Sequence, residues 1–477
     1  MAPAGVRRVS ATGAAICGTI ATVCRRDCAP AAFIPLGRES VAMLTASEIF
    51  DSIRIKVRTG EIAPGEVLPP VRRLAEQLDV NRNTVASAYK KLVAAGIAVT
   101  NGRNGTTILG LAQPLQQEGA VAGSVLCDVS AGNPYLPALP DITALTAAVL
   151  ATPRTYGDAV INDGLLRYGE RWLQADAPGE FGLNLTHGAV DAIERLITGY
   201  LSAGEAVAVE EPCFLSSINT IRSLGYRPLG IAVDRQGICP QPLRAALEGG
   251  AQAVIITPRA HNPTGCSLSA QRAQEIQRVL GDFPHVLVVI DDHFSLLSGQ
   301  PYYNAIPPTT AHWAIVRSFA KFLGPDLRMA LVAGNPQTSQ RLSQRLASGT
   351  SWVSHILQDM AQQALTSAEG QRTIAAAGAH YRQRNGLLLA ELQRHGVACS
   401  AEYDGLNVWL ALRQPADELV TLMMRRGWLL RPGQIYSLGQ DNHAVRLTPA
   451  ALDEQQVAAL AADLADTLGQ CGNALTA

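Results

Sequence analysis

Short apolar runs alternate with longer amphipathic runs between residues 128 and 470. Residues 206–209, 253–257, 286–290 and 314–316 have the length and composition of buried strands, whereas 189–200 and 270–280 have helical spacing. This alternation predicts an α/β domain with a mostly parallel sheet and helices on both faces. Ligands of such sheets bind beyond the carboxyl ends of the strands, so functional residues are expected there.

The composition narrows the class of protein. Of the 477 residues, 47% are hydrophobic and 17% are charged, as is usual for globular proteins of more than one domain. The formal net charge of −1 gives the whole molecule no attraction to nucleic acid, so any DNA binding must come from local charge. Nine cysteines without a C-x-x-C pair favour reduced thiols in the cytoplasm. No apolar run is long enough to span a membrane.

The first 43 residues precede the first recognisable fold pattern. They are rich in alanine, and the apolar stretch 11–24 after two arginines has some features of a signal peptide. We favour a disordered N-terminal extension, because a helix start follows directly after Met43. A start codon assigned upstream of the native one is an alternative that stays open.

Residues 44–110 have the pattern of a small DNA-binding module. Thr45 and Glu48 predict a capping box at the start of a first helix, which Gly60 ends. A second helix starts after two prolines at 69–70, and a third follows Asn81. The third helix has an apolar inner face made of Val85, Tyr89, Leu92 and Val93. Strands are predicted at 97–99 and 106–109, around an Asn-Gly-Arg-Asn-Gly turn, which completes a winged helix-turn-helix.

This module resembles the DNA-binding domain of the GntR family through most of GEVLPPVRRLAEQLDVNRNTVASAYKKLVAAGIAVTNGRNGT. Its nine Lys/Arg residues exceed its six Asp/Glu residues. The resemblance implies that it binds double-stranded operator DNA. It also implies the residues that contact DNA, which are Arg72, Arg82, Asn83, Thr84 and the wing glycine Gly102. Residues 111–127 have neither a helical nor a strand period and are predicted to be a flexible linker.

A lysine with phosphate-binding neighbours lies in the stretch 317–328. Lys321 follows Ser318 by three residues and precedes Arg328 by seven. A lysine amine can condense with an aldehyde, while serine hydroxyls and arginine guanidinium groups bind phosphate. Such a run is usually an ordinary loop when it stands alone, so its interpretation depends on partners elsewhere in the chain.

Polar residues follow the predicted strands, where partners for this lysine would lie. Asn262 can donate to a phenolic oxygen, and Asp291 would need a cationic partner such as a protonated pyridine nitrogen. Two adjacent aspartates, Asp291 and Asp292, could also bind a metal ion, but no further ligand cluster supports one. Gly188 precedes a helix whose amide groups can bind an anion. Phe214 follows another strand and either stacks on a flat ring or packs in the core.

In this order and spacing, these residues resemble those of fold-type I, pyridoxal phosphate-dependent aminotransferases. The specific parts are HNPTG, IDDHF and SFAKFLGPDLR, and the resemblance covers most of residues 128–470. It implies that Lys321 forms the Schiff base with pyridoxal 5'-phosphate, that Asp291 pairs with the pyridinium nitrogen and that Asn262 binds the ring hydroxyl. The other implied cofactor contacts hold the phosphate or stack on the ring, and they are Ser318, Arg328, Gly188, Ala189 and Phe214.

Two further residues have implied roles, and three positions depart from the family pattern, one of which is Val190, where the family often has a polar residue. Tyr156 resembles the tyrosine that reaches the phosphate of the partner subunit, which implies a homodimer. Arg446 resembles the arginine that binds a substrate α-carboxylate. His293 stands where the family usually has a tyrosine, and its imidazole could donate the same hydrogen bond to the ring oxygen. That difference and Cys213, in place of a frequent glycine, argue against efficient transamination but not against cofactor binding.

A GntR-like head joined to an aminotransferase-like domain resembles the MocR family of regulators, from about Met43 to the C-terminus. Stretches such as NRNTVASAYK and IDDHFSLLS look most like members linked to vitamin B6 salvage. The resemblance implies a pyridoxal phosphate-responsive regulator of genes such as a pyridoxal kinase gene. Two alternatives stay open: an active aminotransferase, and a regulator that senses an amino acid as an external aldimine, with Arg446 as its carboxylate ligand.

Overall fold

The computed structural model describes residues 44–63, 65–94, 97–100, 105–108, 119, 124–149, 152–399, 403–439 and 441–475. The described residues from Leu44 onward belong to one unit. The predicted extension 1–43, most of the predicted linker and the wing residue Gly102 lie outside the described residues. Within the described residues, no helix is both long enough and apolar enough to cross a membrane.

Three helices and a hairpin form the head, as the sequence predicts. In chain order its elements are α1 (Ala46–Thr59), α2 (Val71–Leu78), α3 (Arg82–Ala94), β1 (Ala98–Thr100) and β2 (Thr106–Ile108). Thr45 and Glu48 make both hydrogen bonds of the capping box, and Gly60 caps the end of α1 with a φ of 78°. The two strands pair antiparallel, which confirms the predicted hairpin.

The head has a core of its own because helical spacing brings apolar residues of each helix to one side. This core includes Ile49, Ile53, Val57, Leu74, Val85, Ala88, Tyr89, Leu92 and Ile108. The prediction for Val93 was wrong, since its side chain is 37% exposed. At 100° per residue, Val93 lies about 90° around α3 from the centre of the buried face, and Ala88 lies on that face instead.

The large domain contains thirteen described strands, eight of which form its central sheet. In chain order they are β3 (Cys127–Asp128), β4 (Gly182–Thr186), β5 (Ala206–Glu211), β6 (Arg227–Asp234), β7 (Gly237–Ile238), β8 (Ala251–Ile256), β9 (Leu287–Asp291), β10 (His312–Ser318), β11 (Ala330–Gly334), β12 (Val408–Ala411), β13 (Trp428–Leu429), β14 (Arg431–Pro432) and β15 (Ala444–Leu447). The order of strands in the central sheet is β4-β11-β10-β9-β8-β5-β6-β7. Six of these strands run in the same direction, and β7 and β11 run in the opposite direction.

Eleven described helices complete the large domain. They are α4 (Ile142–Ala148), α5 (Asp163–Leu173), α6 (Ala189–Tyr200), α7 (Leu215–Ser223), α8 (Pro240–Glu248), α9 (Ala270–Gly281), α10 (Pro336–Ala347), α11 (His355–Thr366), α12 (Ala368–Arg394), α13 (Asp417–Arg425) and α14 (Glu454–Gln470). The predicted helices 189–200 and 270–280 thus agree with α6 and α9 to within one residue. The predicted strand 314–316 is longer in the structure, because β10 pairs with β11 as far as Ser318.

Helices cover both faces of the central sheet because successive strand residues point to opposite sides. Val207 and Val209 pack in one apolar cluster with side chains of α6, α7 and α10. Ala206 and Ala208 pack in the other cluster, with side chains of α5, α8, α9 and α11. Strands β5 and β9 are therefore apolar until their last residues, which are acidic.

A second, smaller layer holds the last part of the chain. Strands β12, β15 and β14 form an antiparallel sheet, which packs with α12, α13 and α14 around a third apolar cluster. Short β3 pairs with β13 and joins residues 127–129 to this layer. Arg446 lies on β15, the central strand of that sheet, and contacts Asn262, which follows β8 of the main sheet.

Candidate functional site

A cavity of about 530 Å³ lies at the carboxyl ends of the central strands. Nine of the residues predicted to contact the cofactor line it, from five separate stretches of chain. They are Gly188, Ala189, Phe214, Asn262, Asp291, His293, Ser318, Lys321 and Arg328. The structure therefore brings together residues that are up to 140 positions apart in sequence, and it does so at the edge where ligands of such sheets bind.

The register of the parallel strands explains why two of these residues meet. Asp291 is the last residue of β9 and pairs with Val316 of β10, two residues before that strand ends at Ser318. Lys321 follows in the turn directly after β10. The aspartate, the serine and the lysine are thus held by adjacent strands whose positions the sheet determines.

One end of the cavity is suited to a phosphate group. Gly188 is the N-cap of α6 and has a φ of 104°, and no side chain caps the helix there. A Cβ at this glycine would lie 3.1 Å from Cγ of Arg328, so the absence of a side chain lets the arginine pass close to the helix start. Amide groups at a helix N-terminus, a guanidinium group and the nearby Ser318 hydroxyl make a donor set for an anion.

Asp291 also lines the cavity, and its carboxylate would be stabilised by a cation. Its side chain is buried, and its Oδ1 has no hydrogen-bond partner among the described residues. Burial raises the pKa of Asp291 to about 7, and the charge of Asp292 adds to this effect while that of Lys321 opposes it. A protonated pyridine nitrogen would supply the missing partner, so the site fits pyridoxal phosphate at this atom.

Lys321 and His293 present their nitrogens to the same cavity. Nζ of Lys321 donates to the carbonyl oxygen of Gly132 at 3.2 Å. Burial, with the Lys321 charge as the next cause, lowers the pKa of His293 to about 4. Its imidazole is therefore neutral at physiological pH, and it supplies one acceptor nitrogen and one donor N–H.

Asn262 is held from behind by Arg446. Nη1 of Arg446 donates to Oδ1 of Asn262 at 2.9 Å, and Nδ2 of Asn407 approaches the same oxygen at 3.4 Å. Arg446 is fully buried, its Nη2 donates to the carbonyl oxygen of Ser130 at 2.7 Å, and its guanidinium carbon lies 5.0 Å from the centre of the Tyr436 ring. The residues that line the cavity in the described part of the chain do not include Arg446.

A buried ion cluster beneath Asp291 was not predicted from the sequence. The Asp292 carboxylate accepts two hydrogen bonds from Arg259, each of 2.8 Å, and one from Nε of Arg317 at 2.9 Å. Arg317 also contacts Asp176, which follows α5. Burial alone would raise the pKa of Asp292, but the two arginines hold it below its ordinary value. A charged residue inside the apolar strand 314–318 was the available signal.

A second missed feature is a buried acid that lines the cavity. Oε2 of Glu210 lies 3.3 Å from Nε2 of His261, and Oε1 of Glu210 accepts from the amide of Thr257 at 3.0 Å. Burial raises the pKa of Glu210 to about 8 and lowers that of His261 to about 3. Burial therefore favours the uncharged form of both side chains.

Tyr156 lies away from the cavity. Its side chain is 93% exposed and its ring centre is 5.5 Å from that of Trp352. This position leaves the tyrosine accessible to a second subunit, and its predicted role stays a prediction. The alternative of a metal site at Asp291 and Asp292 gains no support, since no group of three or more potential metal ligands occurs among the described residues.

Of the predicted DNA contacts that the structure describes, Arg72, Arg82 and Asn83 are exposed. Arg82 and Asn83 are exposed in the first turn of α3, where the amide of Asn83 donates to Oδ1 of Asn81 at 2.8 Å. Thr84 is half-buried, and Arg72 is exposed on α2 with an ion pair to Glu76 at 3.0 Å. A third helix with a polar, accessible N-terminal turn is the geometry that helix-turn-helix domains use against base edges.

Comparisons with known proteins agree with this two-part organisation. Residues 45–108 match the model for bacterial regulatory proteins of the gntR family, and residues 180–464 match the model for aminotransferase class I and II. The chain is 45% identical over 426 residues to the vitamin B6 salvage pathway transcriptional repressor PtsJ of Salmonella typhimurium, which covers 89% of this chain and 99% of PtsJ.

Two more distant similarities concern the regulator class and the fold. The pyridoxine biosynthesis transcriptional regulator PdxR of Corynebacterium glutamicum is 27% identical over 405 residues, covering 80% of this chain and 86% of PdxR. The crystal structure of kynurenine aminotransferase from Pyrococcus horikoshii superposes with a TM-score of 0.65 at 17% identity, covering 73% of this chain and 92% of that one. The latter similarity establishes the fold of the large domain.

Proposed function

We propose that this chain binds pyridoxal phosphate and regulates vitamin B6 salvage genes in response. The chain belongs to the MocR-type regulators, in which a GntR helix-turn-helix domain precedes an aminotransferase class I and II domain. The head would bind operator DNA, and the large domain would bind the cofactor. The domain limits that we propose are 44–110 for the head, 111–127 for the linker and 128–470 for the cofactor domain.

The observation that carries the proposal is Oδ1 of Asp291, which is buried with no hydrogen-bond partner among the described residues. It lies in a cavity that Lys321 and a set of phosphate-type donors also line. Asp291 would hold the pyridinium nitrogen, and Asn262 would donate to the ring hydroxyl. The phosphate would be held by the amides of Gly188 and Ala189 with the side chains of Ser318 and Arg328, and Phe214 would lie against the ring. When bound, the cofactor supplies an aldehyde carbon that the amine of Lys321 can attack.

Thermodynamic linkage explains how cofactor binding could change DNA affinity. A ligand changes DNA affinity only if it binds the DNA-competent and the incompetent states with different affinities. Such coupling free energies are typically about 1–3 kcal/mol, which corresponds to a change in affinity of about 5- to 150-fold. The relative PtsJ is described as a repressor of vitamin B6 salvage, and we extend that target to this chain as part of the proposal.

A homodimer in the cytoplasm completes the proposal. Tyr156 is exposed beside Trp352, and in a dimer it would reach the phosphate bound by the partner subunit. Dimers also suit operators made of two half-sites. Sedimentation of the purified protein, with Tyr156→Phe as a variant that should stay dimeric but bind the cofactor more weakly, tests this part. A monomer with full cofactor affinity would contradict it.

Footprinting with and without pyridoxal phosphate tests the proposed function. The DNA would be taken from upstream of the gene itself and upstream of vitamin B6 salvage genes of the same genome. We expect a protected region whose occupancy follows the cofactor concentration. Turnover of an amino donor with a keto acid is measured on the same preparation, and we expect it to be slow, since His293 stands where the aminotransferases usually have tyrosine. Rapid turnover with cofactor-independent occupancy would support an enzyme instead.

A further inference from the structure

One residue of the predicted linker is bound to the large domain through its backbone. The amide of Gly119 donates to the carbonyl oxygen of Ala131 at 3.0 Å, and its carbonyl oxygen accepts from Nη2 of Arg431 at 3.2 Å. Its φ of 126° lies in the left-handed region, which favours glycine. Since both polar groups of its backbone are held, Gly119 anchors the linker at this position.

This anchor limits how far the head can move from the large domain. Ile108, the last residue of β2, precedes Gly119 by 11 positions and Cys127, the first residue of β3, by 19. An extended chain spans at most about 3.6 Å per residue, so Ile108 lies within about 40 Å of its attachment point with the anchor in place and within about 68 Å without it. A dimer that places two heads on two half-sites depends on this reach.

The carbonyl group next to the anchor contacts the lysine of the cavity. Ala131 accepts from Gly119, and the carbonyl oxygen of the following residue, Gly132, accepts from Nζ of Lys321 at 3.2 Å. The amide of Gly132 donates to Oγ1 of Thr448 at 3.1 Å, so this glycine is held from two sides. Consecutive carbonyl groups thus connect the linker with the residue that is proposed to bind the cofactor.

The backbone before Ala131 is fixed, whereas Gly132 can change its conformation. The amide of Val129 donates to the carbonyl oxygen of Leu429 at 3.1 Å, and its carbonyl oxygen accepts from the amide of Thr448 at 2.7 Å. Gly132 has a φ of 66°, and glycine adopts positive and negative φ about equally well. When Gly132 loses its contact with Lys321, the change therefore falls on residues 131 and 132, which include the acceptor of the anchor.

We propose that the anchor at Gly119 transmits cofactor binding to the DNA-binding head. This inference rests on the proposed function, in which the amine of Lys321 condenses with the aldehyde carbon of the cofactor. The condensation forms a carbon–nitrogen double bond and releases water, which takes the aldehyde oxygen and two hydrogens of the amine. Nζ then keeps at most one N–H, and its hydrogen bond with Gly132 is lost. The backbone at 131–132 rearranges, Gly119 is released and the reach of the head increases.

Proteolysis at Glu118 measures the state of the anchor without DNA. The bond between Glu118 and Gly119 is a cleavage site for glutamyl endopeptidase, and cleavage requires that the chain be locally released from the fold. We expect wild type to be cut there at least about fivefold faster with pyridoxal phosphate than without it. Lys321→Ala, which lacks the donor to Gly132, should be cut at the faster rate in both conditions. An unchanged or lower rate in wild type with bound cofactor would overturn the proposal.

Operator titration of Gly119→Pro tests whether the head responds to the anchor. Proline has no amide hydrogen and holds φ near about −65°, so it can neither donate to Ala131 nor adopt the φ of 126°. Without cofactor, the variant should match the operator affinity of cofactor-loaded wild type to within about twofold, and added cofactor should change it by less than about twofold. Its absorption spectrum with cofactor should equal that of wild type, because Gly119 does not line the cavity. A cofactor response as large as that of wild type would overturn the proposal.

Val125→Pro is the matched control in the same linker. Val125 is 98% exposed, and none of the backbone hydrogen bonds found in the described part of the chain joins it to the large domain. The operator affinity of this variant should respond to the cofactor as that of wild type does. A loss of response like that of Gly119→Pro would show that stiffening any part of the linker suffices, and it would overturn the role of the anchor. If the cofactor leaves the operator affinity of wild type unchanged, the proposed function fails, whereas a response that survives in Gly119→Pro removes only this coupling route.

Discussion

Asparagine at position 291 is expected to stabilise the cofactor-free protein at neutral and alkaline pH. Asp291 is buried, its Oδ1 has no partner among the described residues, and its pKa is raised from 3.8 to about 7, mainly by burial. Ionising this carboxyl group therefore costs more free energy in the folded protein than in the unfolded chain. Asparagine has nearly the same shape and no charge.

The magnitude follows from the two pKa values. The pKa of Asp291 is higher in the folded protein than in the unfolded chain, so its contribution to folding is most favourable below about pH 4. As pH rises from there, the free energy of unfolding falls by about 1.4 kcal/mol per pH unit. The fall ends once the pH exceeds the folded pKa of about 7. Between about pH 5 and about pH 8, the free energy of unfolding of wild type should fall by about 2–3 kcal/mol relative to that of Asp291→Asn. Glu210, with a pKa near 8, is present in both proteins, so its contribution largely cancels.

Urea unfolding of both proteins without cofactor, at the two pH values, measures this difference. The wild-type free energy of unfolding should decline against that of the variant as pH rises. Pyridoxal phosphate should then stabilise wild type more than the variant at the higher pH, since the pyridinium charge compensates the carboxylate. Parallel pH profiles for the two proteins would refute the assignment of Asp291 as an unpaired buried carboxyl group.

Three further outcomes follow from the head, the lysine and the extension. Arg82→Ala and Asn83→Ala should each weaken operator binding by about 1–3 kcal/mol in gel-shift titrations, with the cofactor spectrum unchanged; unaltered affinity in both would reject α3 as the reading helix. Lys321→Ala should lose the absorption band of the bound cofactor, and borohydride reduction of wild type should label Lys321; label on another lysine would reject the assignment. A chain that starts at Met43 should bind cofactor and operator like the full chain, and a loss of either would give residues 1–42 a structural role.

Regular patterns made much of the fold predictable. The capping box at Thr45, the end of α1 at Gly60 and the alternation of strands with helices depend on residues close in sequence. The candidate site was predictable for a related reason. Its residues follow the ends of parallel strands, and the sheet brings those ends to one edge whatever lies between them.

Contacts between distant residues were not predictable in this way. The contacts of Arg446 with Asn262 and Ser130 depend on how the smaller sheet packs against the larger one, and its role as a carboxylate ligand stays a prediction. The ion cluster of Asp292 with Arg259 and Arg317 likewise joins three separate stretches. A charged residue such as Arg317 in an apolar strand indicates that an ion-pair partner exists. Only the folded structure shows which residue that partner is.

Operator titration with and without pyridoxal phosphate, at one fixed salt concentration, tests the central claim most directly, since phosphate contacts make DNA affinity depend on salt. We expect the cofactor to change the affinity of wild type by about 5- to 150-fold and to leave that of Asp291→Asn nearly unchanged. Equal wild-type affinities in the two titrations, together with rapid turnover of an amino acid, would contradict the account and identify the protein as an enzyme.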